Sequence, residues 1–252
     1  MSAVTELPVA ASDIVVEVPE REYLRLLGWP RGRALSEELS ERAQGARAWY
    51  AEHGRPFVAT RRIAVHEIGP GDVRLESCDV LTSEELAGRL RSREAHALVV
   101  VAVTAGPEVA DEAARLWADG RPDAAFFLDR FAAVIAEQLI QVASADWCRD
   151  LAPRHERLLP HLSPGCGQWD IGDQQHLMGL LSNVPDGSCG PVSLLASGAL
   201  RPQHSVLAAF GVSHGVHAAV AADSSCRGCD LDPCGYRRAR FRSNALHSLG
   251  TT

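Results

Sequence analysis

The sequence predicts one domain of mixed helices and strands, on three observations. Ile63, Val65, Val73 and Leu75 alternate around Gly69-Pro70-Gly71-Asp72, the pattern of a hairpin. Ala97 to Val103 is an unbroken apolar run of strand length, too short to span a bilayer. From Pro122 to about Ala145 the apolar residues recur at helical spacing, and Phe127, Leu128, Phe131, Ile135, Leu139 and Val142 share one face. Arg130, Glu137 and Gln141 lie opposite. Ala132, Ala133, Ala136 and Ala143 form a small-residue flank that lets another backbone or a ligand approach closely.

The remaining elements follow in order. Ile14 to Val18 reads as a first strand, and Glu20 to Leu27 as a short helix closed by Gly28. Ser36 caps a helix running to about His53, with Gly54 at its C′ position. Thr82 and Glu85 form a capping box for a helix to about Arg91. Thr104-Ala105-Gly106-Pro107 turns into another helix, with Pro107 suited to the first turn. Leu151 to Pro164 is Pro- and Arg-rich and reads as irregular, and Asp170 caps a helix over Ile171 to Leu181. Val192 to Ala221 reads as strands and turns. No linker or repeat stands out. The expected organisation is an extended or disordered N-terminus over 1–13, the domain over 14–222, and a Cys-rich tail with a basic C-terminus over 223–252.

With 252 residues, the chain can bury one sizeable core. The net charge of −7 argues against general nucleic-acid or membrane-surface binding. All 25 basic residues are arginine. The absence of lysine excludes Schiff-base chemistry, a P-loop phosphate lysine and a lysine general base. Met1 to Asp13 has no basic n-region and no long apolar run, which predicts a cytoplasmic protein. Seven cysteines, an odd number, make a poor disulfide framework.

Three of those cysteines crowd into Cys226-Arg-Gly-Cys229-Asp-Leu-Asp-Pro-Cys234. A C-x2-C pair lets two thiolates reach one metal from a tight turn, and Gly228 permits that turn. Thiolates suit zinc or an iron–sulfur cluster. A closed tetrahedral site needs a fourth ligand, from Cys189, Cys166, a histidine or an exogenous molecule. Cys189 lies in the turn-rich stretch Asp186-Gly187-Ser188-Cys189-Gly190, and it is favoured over Cys166 because the loop that carries Cys166 is expected to point at a ligand cleft. The loop His161-Leu-Ser-Pro164-Gly165-Cys166-Gly167 flanks a cysteine with two glycines; from pattern alone it is a helix-entry loop. By the same standard Glu137 is a solvated carboxylate, and His204, His214 and His217 are structural. Asp129 and Glu137 share a helix but are too far apart around it for a strong hydrolytic pair. No G-x-S-x-G, H-E-x-x-H or G-x-G-x-x-G motif occurs.

Taken in order, several segments resemble one family. They are "EREYLRLLGWPRG", "ALVVVAVTAGPEVADEA", "LDRFAAVIAEQL", "LSPGCGQWDIGDQQHLMGLL", "LLASGAL" and "CRGCDLDPCGYRR". Their order over roughly residues 14 to 240 is similar to that of the activation domain of cobalamin-dependent methionine synthase, in its free-standing form. The resemblance implies an α+β domain with a bent antiparallel sheet and flanking helices. It implies S-adenosylmethionine binding in support of reductive methylation of a cobalamin. It places Glu137 where the family contacts the cationic portion of the ligand. His161 stands where the family has an arginine for the ligand carboxylate, and Cys166 where it has a tyrosine; Pro164 and Gly165 are retained.

The chain has no Asp-x-His-x-x-Gly corrinoid loop, so cobalamin belongs to a corrinoid-protein partner, with a flavodoxin-like or ferredoxin-like reductant. Two readings stand from the sequence. The first is a reactivation factor acting in trans. The second is a structural or electron-transfer protein on the same fold, holding zinc or an iron–sulfur cluster, in which the S-adenosylmethionine site has decayed.

Overall fold

The computed structural model describes residues 14, 16–182, 189–215, 226, 234 and 237–240. The chain runs α1 (Glu20–Leu26), α2 (Glu37–His53), β1 (Phe57–Ile68), β2 (Asp72–Leu75), β3 (Val80–Thr82), α3 (Glu84–Arg91) and β4 (Ala97–Thr104). It continues through α4 (Glu108–Ala118), α5 (Pro122–Leu151), β5 (Glu156–Leu158), α6 (Gln174–Ser182), β6 (Ser193–Leu194), β7 (Leu200–Arg201) and β8 (Ser205–His214). Six strands form one antiparallel sheet in the order β3-β2-β1-β4-β8-β5, and β6 and β7 pair separately. This is the α+β architecture expected from the resemblance.

β4 explains why its sequence is apolar throughout. Alternate side chains of a strand face opposite sides, and here both sides are covered. Val99, Val101 and Val103 pack with Leu128, Phe131, Ile135 and Leu139 of α5. Leu98, Val100 and Ala102 pack with Leu86 and Leu90 of α3, Leu177 and Leu180 of α6, and Trp169. β1 divides its pairing. Its residues 57–64 pair with β4, and residues 65–68 pair with β2 across a register shift between Val65 and Glu67. A bulge of this kind bends a strand and raises its twist, so the β2-β3 end turns away from the plane of β4 and β8.

The long helix carries the apolar face read from the sequence, with Phe127, Leu128, Phe131, Ile135 and Leu139 buried and Val142 half-buried. It extends past Ala145, because Trp147, Cys148 and Leu151 continue the buried face. α1 and α2 are tied to its layer by buried tyrosines. Tyr23 donates to the Phe127 carbonyl at 2.8 Å and Tyr50 to the Ala105 carbonyl at 2.6 Å. Both rings meet Phe131 edge-on.

Four local expectations are corrected. Ile14, Val16 and Val18 form no strand; they pack half-buried against the helical layer, next to Pro19, which caps α1. The cap of α3 is Ser83, whose hydroxyl accepts from the Leu86 N–H at 3.1 Å, one residue beyond Thr82. Thr82 closes β3 instead, and its N–H donates to Asp173 Oδ2 at 2.8 Å. Gly54 is extended, with φ −61° and ψ 139°, so left-handed geometry does not account for it. Its role is close approach, since a Cβ there would lie 2.7 Å from the Tyr50 ring. Finally, the segment read as irregular contains β5, which pairs with residues 212–214 of β8. Glu156 and Arg157 hide that strand from an apolar-pattern reading.

Candidate functional site

A cleft opens along β8 because its neighbour on one side is short. β4 pairs with all of residues 205–212, whereas the described contacts on the other edge are β5 at 212–214, the Leu159 N–H to the Gly211 carbonyl at 2.8 Å and Leu162 at Ala209. Beyond Leu162 the chain leaves β8 and enters a loop. The resulting cavity of about 430 Å³ lies within the size range of small-molecule sites. Ala133, Ala136, Glu137, Ile140 and Gln141 of α5 form one wall, Ser205 and Val206 of β8 the floor, and His161, Leu162, Ser163, Cys166 and Gly167 of the loop the other side. Glu85, Gln203 and His204 close the ends, and Cys226, Cys234 and Arg238 of the tail cover it. The alanine flank of α5 therefore does what its small size permits: Ala133 and Ala136 leave room for an occupant.

The loop is held by its own backbone. Gly165 N–H donates to the Trp169 carbonyl at 2.8 Å, and Cys166 N–H to the Ser163 carbonyl at 3.0 Å. Trp169 is buried and donates to Asp173 Oδ2 at 2.7 Å, which also receives the Thr82 N–H. Gly165 and Gly167 have φ of +86° and +60°, the left-handed region that favours glycine. At Gly167 a Cβ would also fall 2.4 Å from Glu85 Oε2. Cys166 is thus fixed between two residues that have to be glycine.

Charge is concentrated at one end. Glu137 Oε2 accepts from Arg25 at 2.7 Å and from Arg238 at 2.5 Å. Glu22 Oε2 meets the same two guanidinium groups, at 3.1 Å from Arg25 and 3.2 Å from Arg238. All four side chains are less than one-fifth exposed, so the cluster is little screened by water. Burial pushes the Glu137 carboxyl above its ordinary value, against the opposing pull of Arg238 and Arg25. His161 is set differently. Desolvation, with the nearby positive charges of Arg89 and Arg238, lowers its pKa to about 4, so its ring is neutral at pH 7. His204 Nε2 meets Asp129 Oδ1 at 2.9 Å, an interaction that holds the Asp129 carboxyl below its ordinary value.

The cleft brings together most of the residues singled out in the sequence. Glu137, His161, Cys166, Cys226 and Cys234 all line it. Pro164 is buried behind the loop, and Gly165 shapes it. Cys189 lies elsewhere: it is buried in the core layer shared by α3 and α6, and the adjoining Gly190 sits against the Phe57 ring. Burial raises the Cys189 thiol to about 11. Cys229 and His217 fall outside the described residues.

Two features were not legible beforehand. The first is Arg238, which the tail delivers from a hundred residues beyond Glu137; the only signal was the Arg237-Arg238 pair after the cysteines. The second is a network at the far end of β8. Arg62 forks both oxygens of Glu156, at 2.9 and 2.8 Å, and His96 Nε2 meets Glu156 Oε1 at 2.8 Å. His214 stacks on His96 with centroids 4.4 Å apart. The ligand atoms of His96, Glu156 and His214 lie within 4.8 Å of one another, close enough to take a metal ion. Three distant segments build this group through strand register, with Glu156 opposite His214, so no local motif marks it.

No family model and no curated protein matches the sequence. Among solved structures, the chain is similar to the MetH reactivation domain in a crystal structure with AdoHcy bound. The match has a TM-score of 0.57 at 15% identity and covers 86% of this chain and 84% of that one. The likeness shows that the two share a fold over nearly their whole lengths. No helix among the described residues is long and apolar enough to cross a membrane.

Proposed function

We propose that the cleft binds S-adenosylmethionine and that the chain serves a corrinoid protein in trans as a reactivation factor. The observation that carries this reading is the placement of Glu137. The residue that the resemblance assigns to the ligand's cation lines the cavity, on the helix flank whose alanines make room for an occupant. The fold match is to a domain whose structure holds AdoHcy.

The residues present fit such a ligand. Its α-amino acid end carries one positive and one negative charge, and the cleft offers Glu137 and Arg238 side by side. Glu137 would take the ammonium or sulfonium charge. The carboxylate would take Arg238, whose guanidinium makes the fork that a neutral His161 cannot. Ala133, Ala136, Ile140 and Val206 give apolar surface for the remainder. When bound, S-adenosylmethionine supplies an electrophilic methyl group; the cobalt and the electron come from partners. The role of this chain is to hold the amino-acid end in a site of low water content and to orient the rest along β8. The corrinoid partner and a flavodoxin-like or ferredoxin-like reductant belong to the same reading.

Titration calorimetry with S-adenosylmethionine tests it. Wild type binds, and Glu137→Gln binds roughly 10- to 100-fold more weakly, the equivalent of a charged contact of about 1.5–3 kcal/mol. Equal affinity in the two proteins, or no binding by wild type, contradicts the reading.

A further inference from the structure

We propose that His96, Glu156 and His214 bind one divalent first-row transition-metal ion of the zinc type, at a site separate from the cleft. The three side chains meet at one end of β8, whereas Ser205 and Val206 at its other end floor the cleft. The extended strand from Val206 to His214 puts roughly 25 Å between the two places. The inference therefore does not rest on S-adenosylmethionine binding.

Distance comes first. One nitrogen of each imidazole and one oxygen of Glu156 all lie within 4.8 Å of one another. Ligand atoms about 2.0–2.2 Å from a tetrahedral ion stand about 3.4 Å apart, so the widest pair closes by about 1.4 Å or less. The donor set is specific. Two imidazoles and one carboxylate suit zinc and its neighbours, whereas magnesium and calcium take oxygen ligands. Register then fixes the backbones. Glu156 stands opposite His214 in the β5–β8 pair, and the His96 N–H donates to the Val212 carbonyl at 3.0 Å, two residues before His214. Glu156 is also oriented from behind, because Arg62 donates to its Oε2 at 2.9 Å and to its Oε1 at 2.8 Å. An ion on Oε1 leaves the Arg62 bond to Oε2 in place, an outer hydrogen bond of the kind that aims a ligating carboxylate. His96 Nε2 is 2.8 Å from Glu156 Oε1, and its Nδ1 is buried with no hydrogen-bond partner among the described residues. The ring is thus committed to the fold through one nitrogen at most.

Burial is graded across the group. Glu156 is buried, His96 is half-buried and His214 is exposed. An ion reaches the site from solvent on the His214 side and is held on the Glu156 side. The two rings are stacked, with 16° between their planes, so their lone pairs run side by side. A shared ion requires one ring to tilt, and His214, being exposed, is the one with room to do so. Three protein ligands leave a further coordination position for water or an exogenous donor. The ion would join three separate segments: the entry to β4, the three-residue β5 and the end of β8. Binding to the folded chain alone stabilises it by mass action.

The test uses the full chain with Cys226, Cys229 and Cys234 replaced by serine, so that these thiols do not take the probe. The chelator-stripped protein is titrated with cobalt(II) at neutral pH, and zinc and magnesium are then added as competitors. The expected result is one cobalt per chain, with the weak visible bands of nitrogen and oxygen ligands and no strong near-ultraviolet thiolate band. Zinc displaces the cobalt, magnesium does not, and zinc raises the melting temperature. His214→Ala and His96→Ala each weaken binding by about 10-fold or more. His214 is exposed, so its replacement leaves the fold and the Arg62–Glu156 bonds intact and keeps the result readable if the His96 variant unfolds. His66→Ala, at an exposed histidine of β1, binds as the parent does. No cobalt binding, a thiolate band, unchanged affinity in His214→Ala, or an equal loss in His66→Ala that marks adventitious histidine binding overturns the proposal.

Discussion

The guanidinium of Arg238 lies 2.5 Å from Oε2 of Glu137 and 3.2 Å from Oε2 of Glu22, so one tail residue bridges α1 and α5 at the mouth of the cleft. Arg25 spans the same two carboxylates, making two cations and two anions in one partly buried group. The arrangement joins Arg238 to the charged groups at the end of the cleft.

Replacing Arg238 with Gln therefore has two effects. Glu22 and Glu137 are left to share Arg25, which costs about 1–3 kcal/mol. For a domain of this size that lowers the melting temperature by roughly 2–10 °C. S-adenosylmethionine binding weakens as well, because the carboxylate loses its guanidinium. Calorimetry and thermal melts check both. Tighter binding in the variant would mean that Arg238 competes with the ligand for Glu137.

Ala136→Leu tests the cavity without touching its charges. Ala136 is 4% exposed and lines the cleft, so the larger side chain projects into the space an occupant needs. The expected outcome is at least a 10-fold loss of S-adenosylmethionine affinity with the melting temperature changed by only a few degrees. Wild-type affinity would place the ligand elsewhere.

His161 faces Arg89 and Arg238, and its surroundings desolvate it. Its imidazole should titrate near pH 4, well below its ordinary 6.5, and ligand binding should not follow a histidine titration between pH 5.5 and 8. Between those two pKa values the unfolded chain binds the proton and the folded chain does not, so this residue makes the fold less stable as the pH falls. NMR of the ring protons reads the midpoint directly. A value near 6.5 would show a solvated, protonatable ring.

The network at the end of β8 has a different acid signature. Burial raises the Glu156 carboxyl, but hydrogen bonds from Arg62 and His96 outweigh it and hold the group below its ordinary 4.5. Its contribution to stability is complete above that value and is lost as the pH falls through the depressed folded value. Glu156→Gln should be less stable than wild type at pH 7, by about 1–3 kcal/mol, with a shallower fall in denaturation midpoint from pH 6 to pH 3. Parallel curves for the two proteins would mean that the network carries no such linkage.

Local pattern revealed the elements whose packing is decided locally. The apolar run of β4, the hairpin of β1 and β2 and the buried stripe of α5 were all legible, because burial imposes a period on the sequence. The alanine flank was legible as a place of close approach, though not as the wall of a cavity. What escaped was set by partners distant in the chain. β5 is defined by its pairing with residues 212–214 of β8, and its own charged residues conceal it. Ser83 displaces Thr82 as a cap because Thr82 is committed to β3 and to Asp173. Cys189 is buried in the core layer of α3 and α6, whereas Cys166, Cys226 and Cys234 line the cleft, and spacing along the chain does not report that.

If S-adenosylmethionine binds this chain in the proposed way, it occupies the cleft with Glu137 at its wall. The most direct measurement is a difference electron-density map from crystals of the chain soaked in S-adenosylmethionine against unsoaked crystals. The expected result is ligand density between α5 and the 161–167 loop, with the amino-acid end within hydrogen-bond distance of Glu137 and Arg238. Density at another surface, or an empty cleft at saturating ligand, would contradict it.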